Sequence, residues 1–280
     1  MKISWVIPTY NNFDVLIKTI KNIIKQTRKP DIIFVVDNAS SDNTSNVVKE
    51  FPEIKYIKLN INAGSAGGYS EGMKAASEVS DLIFLSDDDM LFDKNAIKYL
   101  EESLLLFPEN ERIGVVRCAW DGFKGDKAVE VESSIWSGVL IKSSAIKKTG
   151  LPLLELFTYA DDVEYFYRMR KKGLLLYLVP KAKYLSKSLE HRSETKFFGF
   201  RVAVYKTDFR LYYAFRNEIY INRLHGKSTI KVLLYFLKVM FFLKFSGLIA
   251  AIDGIKNGFM GNLGKSKKYI AIRGKEELNA

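Results

Sequence analysis

At 280 residues and 48% hydrophobic content, the chain suits one catalytic domain with an appendage better than two full domains. Its single cysteine, Cys118, excludes an internal disulfide framework and fits a reducing compartment. The net charge of +11 is unevenly spread: from Lys206 onward 14 Lys/Arg face 5 Asp/Glu, a net +9, so the basic character lies in the C-terminal segment.

The first half alternates short apolar runs with helical spacing. Ile3 to Ile7 is expected as a strand ending at Pro8, and it starts without the long apolar stretch and cleavage site of a signal peptide. Asp14 to Lys25 carries Leu16, Ile17, Ile20, Ile23 and Ile24 at helical spacing. Ile32 to Val36 reads as a second strand, and Asp42 as the cap of a helix through Phe51. Ile54 to Leu59 is a third strand, Ser70 to Glu78 a helix, Leu82 to Ser86 a fourth strand, and Asn95 to Phe107 a helix. Such alternation implies a parallel sheet covered on both faces. After Gly114 the pattern loosens. Gly114 to Ala119 reads as strand core around Cys118, Ile135 to Ile141 as a strand, and Ser144 to Thr149 as a short helix. Asp161 to Lys172 is a longer helix, and Leu174 to Val179 a strand ending at Pro180. The expected class is α/β: a Rossmann-like, mostly parallel sheet with a mixed second half, followed by a C-terminal helical segment. The expected domains are 1–225, catalytic, and 226–280, basic and apolar.

Thr229 to Ile252 is strongly apolar but interrupted by Lys231, Lys238 and Lys244. Lys231 and Lys238 share one helix face, which suits a helix lying in a membrane interface with its lysines toward anionic headgroups. The alternative is a helix docked on the catalytic domain or on a second copy in a homodimer.

Four clusters can carry chemistry. Asp87-Asp88-Asp89 follows the buried strand Leu82 to Leu85, where ligands of open α/β sheets sit. Adjacent carboxylates repel, so a divalent cation with a phosphorylated ligand would relieve them; an exposed acidic loop is the plainer alternative. Asp37 and Asn38 end the second strand, placed to hydrogen-bond a base or ribose, while Ser40 or Asp42 caps a helix. Asn62 to Gly72, with Gly67 and Gly68, opens a helix whose free N–H groups can face an anion, or it makes plain turns. Its spacing is neither a Walker loop nor a dinucleotide fingerprint. In Tyr159-Ala160-Asp161-Asp162-Val163-Glu164, Asp162 can act as a general base toward a sugar hydroxyl, or the acids simply favour a helix start. His191, one of two histidines, can complete an oxygen-rich site for an ion such as Mn²⁺, or be a surface side chain.

The ordered series Ile7-Pro8-Thr9-Tyr10-Asn11, Val36 to Asp42, Asn62 to Gly72, Asp87 to Asp89, Trp136-Ser137-Gly138, Asp161-Asp162 and His191 resembles the family-two inverting glycosyltransferases of GT-A fold. Within that family the glycine-rich segment and acidic triplet look most like bacterial galactofuranosyltransferases, and rhamnosyltransferases using dTDP-rhamnose share much of the pattern. The resemblance implies transfer of galactofuranose from UDP-galactofuranose to a lipid-linked or polysaccharide hydroxyl in cell-surface glycan synthesis. It implies that Pro8, Thr9 and Tyr10 line the nucleotide pocket and that Asp37 and Asn38 contact base and ribose. Asn62, Gly67, Gly68, Asp87 and Asp88 would lie along the donor. Asp89 and His191, with Asp87, would hold Mn²⁺ or Mg²⁺. Asp162 would be the base, and Trp136, Asp161 and Glu164 would shape the acceptor pocket. Tyr159-Ala160 departs from the tryptophan or acidic residue usual before the aspartate pair. The implied location is cytoplasmic, peripheral on the inner membrane face. Two other classes remain: a sugar nucleotidyltransferase, disfavoured because Pro8 to Asn12 stands where a basic glycine-rich loop belongs, and a nucleic-acid binder, disfavoured because the tail's charges interleave with aliphatic runs.

Overall fold

Strand alternation sets two cores. In β1 (Ile3–Thr9), Ile3, Trp5 and Ile7 point to one side and Val6 to the other, and all four are buried. The structure, a computed structural model, describes residues 1–107, 110–185, 192–197 and 200–278. β1 pairs in parallel with β2 (Ile32–Asp37) on one side and β4 (Leu82–Leu85) on the other, and β3 (Lys55–Lys58) extends the sheet beyond β2. β7 (Val139–Lys142) runs antiparallel to β4, followed by β5 (Ile113–Trp120), β8 (Leu175–Tyr184) and β6 (Val129–Glu130), giving the order β3-β2-β1-β4-β7-β5-β8-β6. This is the expected mostly parallel sheet with a mixed second half. One face packs α1 (Phe13–Ile23), the one-turn α2 (Val47–Glu50) and α4 (Ala96–Leu106); the other packs α3 (Gly64–Ser77), α5 (Ser143–Thr149) and α6 (Asp161–Lys171).

Some element bounds differ from expectation, each for a physical reason. α3 starts at Gly64 and not at Ser70 because its glycines lie inside the helix against the sheet. A Cβ at Gly72 would stand 2.2 Å from a Val6 methyl, and one at Gly68 would stand 2.7 Å from both Asn38 Nδ2 and Pro8 Cβ. β8 continues through Pro180 to Tyr184, with its irregular register beside Cys118/Ala119 accommodating the missing N–H. Trp136 to Gly138 is not strand; Gly138 turns with φ +80° just before β7. Asp42 does cap, but it leads into a 3₁₀ turn (Asn43–Asn46) and then α2. Thr229 to Ile252 divides into α8 (Ile230–Val239), a 3₁₀ turn (Met240–Phe242) and α9 (Phe245–Met260). The hairpin of β9 (Arg192–Phe197) and β10 (Phe200–Tyr205) and the helix α7 (Asp208–Leu224) were not expected, while α10 (Lys267–Leu278) falls in the expected C-terminal helical segment. Among the described residues no helix is long and apolar enough to cross a membrane.

The chain forms two compact units, Met1–Leu154 with Asp162–Lys187, and Glu155–Asp161 with Ser188–Ala280. α7 thus groups with the C-terminal helices, ahead of the boundary at 226 suggested by composition. Within the second unit α9 lies directly on the α7 backbone. A Cβ at Gly254 would sit 2.5 Å from the Tyr212 carbonyl oxygen, and one at Gly258 would sit 2.5 Å from that of Arg216. Backbone cannot yield as a side-chain tip does. Gly254→Val is therefore expected to cost about 1–3 kcal/mol or more of stability, read as a lowered thermal midpoint with folded-state α-helical circular dichroism reduced only on melting.

Candidate active site

The carboxyl ends of β1, β2 and β4 lie side by side, and β1/β4 is where the strand order reverses, the usual crevice for ligands in such sheets. The acidic triplet after β4 does not point one way. Asp87 is exposed, yet both its oxygens are held: Tyr69 Oη donates to Oδ1 at 2.7 Å, and Ser137 Oγ to Oδ2 at 2.5 Å. The Asp87 N–H donates back to Ser137 Oγ at 2.7 Å. The Tyr69 ring is in turn stacked on Trp136 with centroids 4.8 Å apart.

Asp88 turns inward. Thr9 Oγ1 donates to it at 2.5 Å and Asn12 Nδ2 at 3.0 Å, while its main-chain carbonyl accepts from Thr19. Burial of this carboxyl pushes its pKa up to about 7, against the lowering effect of those two donors. Asp89 is half-buried, and its pKa is raised first by burial and then by the neighbouring Asp87 charge. The three charges oppose one another: Asp89 and Asp87 both raise Asp88, and Asp87 raises Asp89.

At the end of β2, Asp37 and Asn38 are buried. Asp37 accepts from the Ser40 N–H at 2.8 Å and from the hydroxyl of Tyr56, whose phenol is pushed up by burial and by the Asp37 charge. Asn38 Oδ1 accepts from the Ala63 N–H at 3.4 Å, and Asn62 Oδ1 from the Gly64 N–H at 2.9 Å. With Gly67 and Gly68 buried, the start of α3 is drawn onto Pro8 and Asn38. Loops are stitched too: Asn11 N–H donates to Ser40 Oγ, Ser41 N–H to Asn11 Oδ1, and Phe13 N–H to Asp42. Tyr10 is exposed just beyond β1.

Asp162 is half-buried at the start of α6, its Oδ1 accepting the Val163 N–H at 2.7 Å, and Asp161 beside it is buried. Two residues expected to shape the acceptor pocket are placed otherwise. Glu164 is fully buried and paired with Arg168, whose Nε and Nη2 each donate to it at 2.9 Å. Arg168 also donates to the Thr149 and Leu151 carbonyls, so the pair anchors α6. Trp136 is 4% exposed, packed among Tyr69, Tyr165 and Phe166 as a core side chain. His191 lies outside the described residues. Cys118 is buried in β5 with its thiol pushed up, so it is no thiolate nucleophile. Sequence reasoning missed Tyr69, Asn12, Ser137 and Tyr56 as holders of carboxylates; Tyr69, Asn12 and Ser137 stood in segments already singled out, and Tyr56 in an expected strand.

The donor set fits a hard divalent ion. Among the described residues no group of three or more His, Cys, Asp or Glu side chains is arranged to hold a metal. Two carboxylates, Asp87 and Asp89, with remaining positions for phosphate oxygens and water, are the usual protein share for Mg²⁺-like ions.

Residues 4–174 match the family model described as Glycosyl transferase family 2. The chain is 26% identical over 198 residues to galactofuranosyltransferase GlfT1 of Mycolicibacterium smegmatis, covering 60% of this chain and 65% of that protein. It is 28% identical over 117 residues to a poly-beta-1,6-N-acetyl-D-glucosamine synthase of Staphylococcus epidermidis, covering 41% of this chain but only 27% of that one. A crystal structure of GalNAc-T7 with UDP, GalNAc and Mn²⁺ superposes with a TM-score of 0.63 at 13% identity, over 80% of this chain and 48% of that one.

The cradle around Asp87 is testable without a substrate. Ser137→Ala strips a donor from the Asp87 carboxylate and the partner from its N–H, and is expected to cost about 1–3 kcal/mol in urea unfolding. Tyr69→Phe should cost less, and the two should couple, since both act on one carboxylate.

Proposed function

The chain belongs to glycosyl transferase family 2, and from that premise we propose that it transfers galactofuranose from UDP-galactofuranose, with inversion, to a hydroxyl of a lipid-linked or polysaccharide acceptor. The observation that carries this is the β4 tip, where three successive carboxylates, Asp87 to Asp89, end the strand and Tyr69 of the glycine-tight helix α3 donates to Asp87. Of the two sequence relatives above, the one matched over more of this chain is a galactofuranosyltransferase. The competing donor is dTDP-rhamnose. Family membership replaces the nucleotidyltransferase and nucleic-acid-binding readings.

In this reading Asp37 and Asn38, fixed by Tyr56 and the Ala63 N–H, meet the base and ribose. Asp87 and Asp89, with His191 as a third candidate, hold Mn²⁺ or Mg²⁺; GalNAc-T7 carries Mn²⁺ with UDP in its crystal structure. Bound there, such an ion supplies Lewis-acid stabilisation for the departing diphosphate. The Asp162 carboxylate accepts the acceptor's hydroxyl proton. That oxygen bonds to the anomeric carbon from the face opposite the phosphate, and the sugar–phosphate C–O bond breaks with its electron pair leaving on UDP.

The C-terminal helices give the acceptor reading a location. Phe241 and Phe245 are 70% and 80% exposed, and Leu234, Leu237, Ile249 and Ile252 are exposed near them, with Lys231, Lys238 and Lys244 also at the surface. Apolar side chains bordered by lysines suit the interface of an anionic membrane, where each basic residue contributes about 1 kcal/mol. We place the enzyme on the cytoplasmic face of the membrane on this ground.

Asp162→Asn should lower transfer by about 10²–10⁴-fold, the usual worth of a general base, while UDP affinity by calorimetry stays within twofold. In that assay the wild type should turn over UDP-galactofuranose faster than dTDP-rhamnose and stop in excess chelator; turnover of neither donor would reject the reading. Separately, Phe241→Glu with Phe245→Glu should abolish co-sedimentation with phosphatidylglycerol vesicles without lowering the thermal midpoint, because both rings are exposed.

A further inference from the structure

We infer that Arg216 and Asn217, in the middle of α7, are positioning residues that hold the loop leading into Asp161-Asp162. The inference rests on the reading of Asp162 as the base.

Both side chains are 0% exposed, although neither belongs in an apolar helix core. A buried guanidinium is costly unless every N–H finds a partner. Here the partners are fixed. Arg216 Nε donates to Asn217 Oδ1 at 2.8 Å, which orients the amide with its Nδ2 toward the loop. Arg216 Nη2 donates to the Leu156 carbonyl at 2.8 Å and Nη1 to that of Gly264 at 2.6 Å. The guanidinium also lies over the Tyr213 ring, 4.6 Å from its centroid. Asn217 Nδ2 shares its two hydrogens among the carbonyls of Leu156 at 3.0 Å, Thr158 at 2.7 Å and Tyr159 at 2.6 Å. The Gly264 N–H closes the ring on the Glu155 carbonyl at 2.7 Å.

The loop so held is strained. Phe157, Tyr159 and Ala160 have φ of +63°, +66° and +59°, a region L side chains rarely adopt, and no glycine relieves them. Such a conformation persists only where its surroundings over-determine it, and Asn217 holds the carbonyl that precedes each of these residues, those of Leu156, Thr158 and Tyr159. The last of these ties is at Tyr159, and the next residues in the chain are Ala160, Asp161 and Asp162. A clamp serving stability alone needs no left-handed run at that point; one that sets how the aspartate pair leaves the loop does.

The test uses the full chain and Asn217→Asp, which keeps the shape and removes both N–H donors. Transfer to octyl β-galactofuranoside from UDP-galactofuranose should fall about 10²-fold in kcat, the cost of misplacing a reacting group by about 1 Å, with donor KM and UDP affinity within twofold. Asn217→Asp added to Asp162→Asn should bring no further loss, because one acts through the other. Ala160→Gly in the Asn217→Asp background should recover part of kcat, since glycine takes a positive φ unaided. Amide hydrogen exchange over residues 155–165 should quicken in Asn217→Asp. Unchanged kcat, unchanged exchange, or parallel loss of UDP binding would overturn the inference. Wild-type turnover in Asp162→Asn would instead remove the base reading, and loop exchange would then decide by itself whether the clamp exists. Should Asn217→Asp not fold, Arg216→Lys, which keeps the charge and loses the paired donors, is read in the same way.

Discussion

Three successive carboxylates at the tip of a buried strand repel one another, and the site is built around keeping them apart. Asp88 is turned into the protein, where Thr9 and Asn12 meet it and burial raises its pKa to about 7. Asp87 is turned outward and pinned by Tyr69 and Ser137. Asp89 is half-buried, and burial first and then the Asp87 charge oppose its ionisation. The chain's own donors thus settle Asp87 and Asp88. The repulsion that persists among the three carboxylates is the kind that a divalent ion and its phosphate ligand remove.

That solution dictates much of the surrounding fold. Thr9 reaches Asp88 only because β1 and β4 are neighbours with their carboxyl ends level. Tyr69 reaches Asp87 because α3 lies hard on β1 and β2, which Gly68 and Gly72 permit by having no Cβ where Pro8, Asn38 and Val6 stand. Ser137 arrives from the turn before β7, whose Gly138 takes φ +80°. Each of these glycines therefore supports the charge arrangement through backbone placement, and none of them needs to touch a ligand.

The strands and helices of the first half were legible because they obey simple periods, and Asp37, Asn38 and the acidic triplet were legible because polar residues end apolar runs. The start of α3 was not, since glycine reads as a turn residue and its use for close packing depends on partners distant in sequence. The burial of Trp136 and Glu164 was not legible for the same reason. An aromatic next to a turn can be a platform or a core ring, and only the stacking on Tyr69 decides; an acid at a helix start looks free until Arg168, one turn on, is seen to bury it. α7 escaped notice because Arg216 and Asn217 break the apolar face that would have announced it, and it is these two residues that carry the loop contacts.

α9 inverts the ordinary logic of a helix in water. Its buried positions are Gly247, Ala250, Ala251, Gly254 and Gly258, while Phe245, Ile249, Ile252, Phe259 and Met260 are exposed. In water the hydrophobic effect would place the large side chains against α7 and the small or polar ones outside. Small residues inside and large apolar ones outside is the economy of helices packed where the outer medium is itself apolar, because close backbone contact then supplies the packing. At 16 residues α9 is too short to span a bilayer, and Asp253 and Lys256 interrupt it. A helix lying along the interface, as proposed above, would satisfy both facts: its length would set no limit there, and its large side chains would enter the acyl boundary while α7 is met from the other side by glycine.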